Sequence, residues 1–184
     1  KVFERIYQGA VIEALKYSPQ YEEGMSDDEI LAAHGILSYS QTLEWKGAVE
    51  YCLTNRNGTA SEEKIDTSSN YYGTVLNAQT LEHAVPTLQK GVEKIIVIEN
   101  KANYESMEYS GDTLYIYCHG FFSPKERRFL RSAAEIAGAE TEFLHWSDMD
   151  YGGIRIFRFM KEKVFAQVKP LHMDVESFER CRLA

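Results

Sequence analysis

KIIVIEN, residues 94–100, sets the fold: Ile95, Ile96, Val97 and Ile98 run together, and a carboxylate, Glu99, follows at once. Four consecutive β-branched side chains leave no wet face, which predicts a strand buried on both sides in a parallel sheet. Parallel neighbours need crossover connections, and the flanking sequence supplies them. Thr113–Cys118 reads as a second buried strand and Thr141–Trp146 as a third. Between them Ser123, Pro124 and Glu126 offer an N-cap, an N1 proline and a capping-box acid. Phe129, Leu130, Ala133, Ala134 and Ala137 then recur at helical spacing up to a stop at Gly138. Residues 154–160 read as an amphipathic helix and 164–168 as a fourth strand. Strands alternating with helices predict an α/β domain over residues 94–184, its sheet mostly parallel, flanked by helices and connected by right-handed crossovers.

Residues 1–93 read as a helical and β lead-in. Val2–Lys16 carries its apolar residues at helical spacing, and Ser26 with Glu29 forms a capping box before Ile30, Leu31 and Ala33, with Gly35 as a stop. From Leu43 to Leu53 the pattern alternates with period two, which predicts one strand with one wet face. Asn57-Gly58 signals a hairpin turn, but the following SEEKIDTSSN is too polar to predict a second strand securely. Asn77 caps a helix running toward Leu81 and Val85, which Pro86 should end early. The chain opens at Lys1 on a helical pattern, so it is expected to be part of something longer, possessing an upstream domain.

The 184 residues include 28 acids and carry a formal charge of −8, which excludes a protein that coats nucleic acid by bulk electrostatics. Contact with DNA then has to come from a local basic patch, from metal ions or from a partner. No apolar run approaches a membrane span and the start lacks a secretory core, so a cytoplasmic location is the expectation. Cys52, Cys118 and Cys181 lack CxxC spacing, and the five histidines lack close pairing, which disfavours a disulfide framework and a Cys or His metal site.

In open α/β sheets ligands gather outside the carboxyl ends of the strands. Glu99 stands there after the first strand, and Asp148-Met149-Asp150 follows the third, with Gly152 and Gly153 directly behind. If residues 148–150 are extended, both aspartates project the same way. Three carboxylates converging at one edge repel one another unless a cation neutralises them, and hard oxygen ligands suit Mg2+ or Mn2+. The two glycines would let the backbone approach a phosphate, and the next helix would offer free N–H groups. Each acid taken alone reads equally as a solvated surface group. Lys125, Arg127, Arg128 and Arg131 form either a phosphate contact or a solvated helix face. Lys101 reads as a phosphate contact or as an exposed loop lysine, and Arg155 as a group that steadies Asp148 or a phosphate or as ordinary surface charge. His119 and His145 read as packing or hydrogen-bonding residues, and Trp45 and Trp146 as core.

IIVIENKANY, YIYCHGFFS and FLHWSDMDYGGIRI, in that order, resemble the toprim domains, and specifically the JetD class of Wadjet defence nuclease subunits. VKPLHMD near the end resembles that family's tail, while residues 36–93 match its lead-in only loosely. The resemblance implies a Rossmann-like toprim fold, with Glu99 as the toprim acid, Asp148 and Asp150 as the metal pair, and Gly120 as the family's glycine after the second strand. It further implies a Mg2+- or Mn2+-dependent nuclease acting on double-stranded DNA, with condensin-like (SMC) partner subunits in plasmid defence; a homodimer is expected. Topoisomerase VI A-like relatives cut with a tyrosine on an upstream winged-helix domain. No tyrosine stands out among the 12 here, so hydrolysis is the leading expectation. A non-cleaving DNA-binding or assembly module is the alternative, and a tyrosine-dependent subunit a third.

Overall fold

In the computed structural model residues 7–34, 42–55, 57–88 and 91–173 are described. Helices Gln8–Leu15 (α1) and Asp27–Ala33 (α2) come first, then strands Leu43–Lys46 (β1), Val49–Thr54 (β2), Ala60–Asp66 (β3) and Thr74–Leu76 (β4), helix Ala78–His83 (α3) and strand Ala84–Leu88 (β5). Alternation follows: Lys94–Ile98 (β6), Lys101–Ser106 (α4), Thr113–Tyr117 (β7), Pro124–Ile136 (α5), Glu142–Trp146 (β8), Tyr151–Lys163 (α6) and Lys169–Pro170 (β9). A six-stranded sheet has the order β4-β1-β7-β6-β8-β9, and a three-stranded sheet the order β3-β2-β5. Strands β7, β6, β8 and β9 are mutually parallel, while β1 joins β7 and β4 antiparallel. The three expected strands therefore share one sheet with β6 between the other two. Two strands from before residue 94 extend it on one side.

Alternation in β6 and β7 sends Ile95, Val97, Leu114, Ile116 and Cys118 into the main core, with Phe129 of α5 and Ile156, Phe159 and Met160 of α6. Trp45 of β1 stacks on Phe129 with ring centroids 5.8 Å apart, so helix α5 is held against the part of the sheet contributed by the lead-in. Tyr104 of α4 packs on Tyr117 from the opposite face. Both expected capping boxes are formed: Glu126 Oε2 accepts from Ser123 N at 2.8 Å, and Glu29 Oε2 from Ser26 N at 3.0 Å.

Four expectations are corrected. Leu43–Leu53 is two strands in two sheets, because Gly47 breaks the run with a φ of +137°, and a Cβ there would lie 2.8 Å from the Thr113 carbonyl oxygen. Polar SEEKIDTSSN does supply a strand, β3, exposed throughout and held by backbone pairing to β2. Val164–Val168 is a turn rather than a strand; Val164, Phe165 and Val168 are buried there, and β9 takes the sheet edge just after them. Helix α6 starts at Tyr151, three residues before the expected Ile154. The helix after Asn77 ends at His83, and Pro86 lies in β5. Gly35 and Cys181 lie outside the described residues.

Candidate functional site

Glu99 leaves β6 between the carboxyl ends of its two neighbours. Its N–H donates to Trp146 O of β8 at 2.9 Å, and Cys118 N beyond β7 donates to Ile98 O at 2.8 Å. The acid is only partly exposed, and its Oε2 is buried without a hydrogen-bond partner. Burial, then the charges of Asp148 and Asp150, push its carboxyl above the ordinary range, while a backbone hydrogen bond from Asp148 acts in the other direction. The sheet thus brings all three acids into electrostatic contact at one edge.

Asp148 and Asp150 are both exposed, but they have different local roles. Asp150 is the N-cap of α6, and its Oδ1 accepts from Gly153 N at 2.8 Å. One of its oxygens is therefore committed to the helix, and the pair does not simply project together from an extended segment. The glycines also serve the helix. A Cβ on Gly153 would lie 1.9 Å from Asp148 O, so only glycine lets α6 pack against the acid loop. Gly152 faces no more than the Asp150 carboxylate, at 3.2 Å. Ser147, buried, donates to Gly153 O at 3.2 Å and ties the same corner from the strand side.

Whether a hard divalent cation suits these residues turns on the unpartnered Glu99 oxygen. An ionised, buried oxygen with no donor is unfavourable by itself and becomes favourable beside a cation. Among the described residues no group of three or more His, Cys, Asp or Glu side chains is arranged to hold a metal ion. Mg2+ does not require one, since it keeps several waters and is commonly held by one or two carboxylates together with a substrate phosphate. The donor set fits.

The other candidates divide. Lys101 is not a loop lysine: it opens α4, pairs with Glu44 at 2.6 Å and lies over the rings of Tyr104 and Tyr117. Lys125 pairs with Glu82 at 2.9 Å, and Arg127, largely buried, pairs with Glu22 at 3.3 Å. Arg131, also exposed, donates to the Lys163 carbonyl at 2.7 Å, which leaves Arg128 as the exposed cation of that helix without a side-chain ion pair or hydrogen bond among the described residues. These contacts favour a structural role for the basic helix. Gly120 takes a φ of +123° with nothing within 4 Å of a built Cβ, so it serves the turn after β7. Arg155 is exposed and rests on the rings of Phe121 and Tyr151.

The two histidines take the packing and hydrogen-bonding roles expected of them. His119 Nε2 lies 2.9 Å from Glu126 Oε1, and although burial opposes it, Glu126 holds the imidazole above its ordinary value. His145 is fully buried, with no hydrogen-bond partner on either ring nitrogen, and burial pushes it down to about 4. Spacing alone did not name Glu126, the capping-box acid, as the partner of His119.

Residues 57–184 match the family model described as Wadjet protein JetD, C-terminal. Over 182 residues the chain is 29% identical to the Wadjet protein JetD of Bacillus cereus (strain Q1), a match that covers 98% of this chain and 42% of that relative. The chain thus spans less than half the length of the curated relative it matches.

Proposed function

This chain belongs to the Wadjet JetD C-terminal family, and on that premise we propose that it is the toprim-type nuclease part of a Wadjet plasmid-defence protein. The reaction would be Mg2+- or Mn2+-dependent hydrolysis of phosphodiesters in double-stranded DNA. The observation that carries this reading is the buried, unpartnered Glu99 Oε2 at the end of the central strand, coupled to Asp148 and Asp150. Glu99, Asp148 and the free oxygen of Asp150 would hold the ion. When bound, such an ion supplies Lewis-acid polarisation of the phosphodiester and activation of an attacking water. Were the two aspartates alone to hold the ion, Glu99 would instead serve proton transfer, its carboxyl standing above the ordinary carboxylate range through burial. Ser147 and Gly153 hold the acid loop against α6, and the Asp150 cap sets the direction of its second oxygen. Double-stranded DNA, a homodimer and condensin-like partners belong to this proposal.

The test has two readouts. Manganese bound by the full chain, counted by electron paramagnetic resonance, should fall sharply in Glu99→Gln and Asp148→Asn. Nicking or linearisation of supercoiled plasmid should be lost in the same variants and in chelator. Cutting that survives both replacements, or persists in chelator, defeats the reading. One observation favours a rival: Asp150 already spends an oxygen on a helix cap, as it would in a module that keeps the fold to bind or assemble without cutting. Unchanged manganese binding in the variants, with no plasmid cleavage by the native chain, would select that rival.

A further inference from the structure

Beside the acids, the loop after β7 meets the first turns of α6 in a feature that the acid site does not use. The Arg155 guanidinium lies 5.6 Å from the centroid of Phe121 and 5.8 Å from that of Tyr151. Phe121 is anchored edge-on to the buried Phe159, centroids 4.9 Å apart. Tyr151 is 79% exposed, although it follows Asp150 directly in the chain. Core packing does not account for an aromatic ring so open to water.

The groove here, whose charged lining residues are Glu23, Arg155, Arg158 and Glu162, is neutral in formal charge, but the charged groups other than Arg155 are each engaged in an ion pair, Glu23 with Lys163 from outside the lining. Arg158 donates to Glu162 at 2.7 Å, and Lys163 lies 3.5 Å from Glu23. Arg155 has no ion pair among the described residues. Phosphate approaching three carboxylates is repelled, so a strand can be seated there only with fixed positive charge close by. A guanidinium already bracketed by two rings loses little side-chain entropy on binding and matches phosphate oxygens in its planar fork. An open aromatic ring offers a flat surface to a nucleoside.

We propose that Arg155, bracketed by Phe121 and Tyr151, grips a DNA backbone phosphate neighbouring the one at the acids, and that Tyr151 packs on the adjoining nucleotide. The occupant's identity rests on the nuclease reading; the grip itself does not require cleavage or a metal. Arg155 and Tyr151 are positioning residues here, reached from the first turns of the helix whose cap is Asp150.

The test uses the full chain in chelator at low salt, titrated against a labelled duplex and a single strand of the same sequence, with the titration repeated across a salt series. Arg155→Ala should weaken binding by about 10-fold and lower the log–log salt slope by about one, the signature of one lost phosphate contact. Arg155→Lys should recover the slope but not the full affinity, because an ammonium lacks the planar fork. Tyr151→Ala should weaken single-strand binding by about 10-fold, and Tyr151→Phe should retain it. Arg158→Ala serves as the paired-cation control and should bind as the native chain does. Equal affinity and slope for native and Arg155→Ala, an equal loss in Arg158→Ala, or no binding by the native chain each overturn the proposal. If the Arg155 variants bind normally while Glu99→Gln abolishes cleavage, the grip fails and the nuclease reading stands. The reverse pattern leaves the grip and removes the nuclease.

Discussion

Replacing His145 with Leu tests how the sheet beneath the acids is stabilised. The imidazole is 0% exposed on β8, opposite Val97 of β6, with a ring centroid 5.9 Å from Phe157 and no partner on either nitrogen. Burial alone pushes it from 6.5 to about 4. In the unfolded chain the imidazole titrates near its ordinary value, so between those limits the unfolded state binds more protons than the folded one. The stability tied to a neutral His145 is therefore complete above the unfolded value and is lost as pH falls toward the folded one. The full difference is about 3 kcal/mol at 1.36 kcal/mol per pH unit, of which about 2 kcal/mol is gone by pH 5. His145→Leu removes this protonation and also removes two unsatisfied nitrogens that cost about 1–3 kcal/mol, against a packing mismatch of about 1 kcal/mol. Urea unfolding at pH 7.5 and pH 5 should show the variant at least as stable at the higher pH, and ahead by about 2 kcal/mol more at the lower. Parallel pH profiles for the two proteins would mean that His145 has a partner or water access that keeps its proton affinity ordinary.

Gly153→Ala should cost about 2–4 kcal/mol, because the new methyl group meets a backbone carbonyl that cannot move aside cheaply, whereas Gly152→Ala should be nearly neutral; thermal melts compare the two. Asp150→Ala should cost about 1 kcal/mol through loss of the α6 cap, and Asp150→Asn should restore that stability without restoring metal affinity, as chemical denaturation and manganese titration would show. Glu99→Gln should raise stability at pH 7, since a carboxyl held above its ordinary range favours the folded state in its protonated form and loses that advantage as pH rises through the folded value; equal melting points for the two proteins would contradict it. Manganese should raise the native melting temperature at neutral pH and less as the pH is lowered, because protons compete for the same oxygens.

The parallel half of the fold was legible because its signals are local and mutually consistent: a run of β-branched residues, a complete capping box, and acids at strand ends. Leu43–Leu53 misled because alternation reports which face is buried but not which sheet is joined. Only the Gly47 turn reassigns its second half, and that turn exists because the glycine backbone passes against Thr113–Leu114. Val164–Val168 misled for a related reason, since burial under the sheet produces the same apolar spacing as membership in it. Helix α4 was hidden because KANYES carries little hydrophobic periodicity, and its stability comes from the Asn100 cap and the buried Tyr104. At the candidate site, the placement of the three acids near one sheet edge was legible and the contacts each one makes were not. Sequence spacing brought the three acids to one edge, but it could not show that Asp150 caps α6 or that most basic residues of α5 are already paired.

These contacts link stability to chemistry in one corner of the molecule. Asp150 gives one oxygen to Gly153 N, Gly153 approaches Asp148 O because it lacks a Cβ, and Ser147 closes the loop onto the Gly153 carbonyl. The start of α6 and the acid loop therefore cannot move independently: unwinding the first helical turn would release Asp150 and slide Asp148 away from Glu99. Such unwinding would also free Tyr151 and Arg155, which lie in the first and second turns. A substitution that frays this turn without touching a carboxylate should thus lower metal affinity and DNA affinity together, whereas Asp148→Asn should lower only the first. Gly153→Ala is that substitution, and a variant that lost stability while keeping both affinities would show that the acids and the arginine grip are held by something other than the helix start.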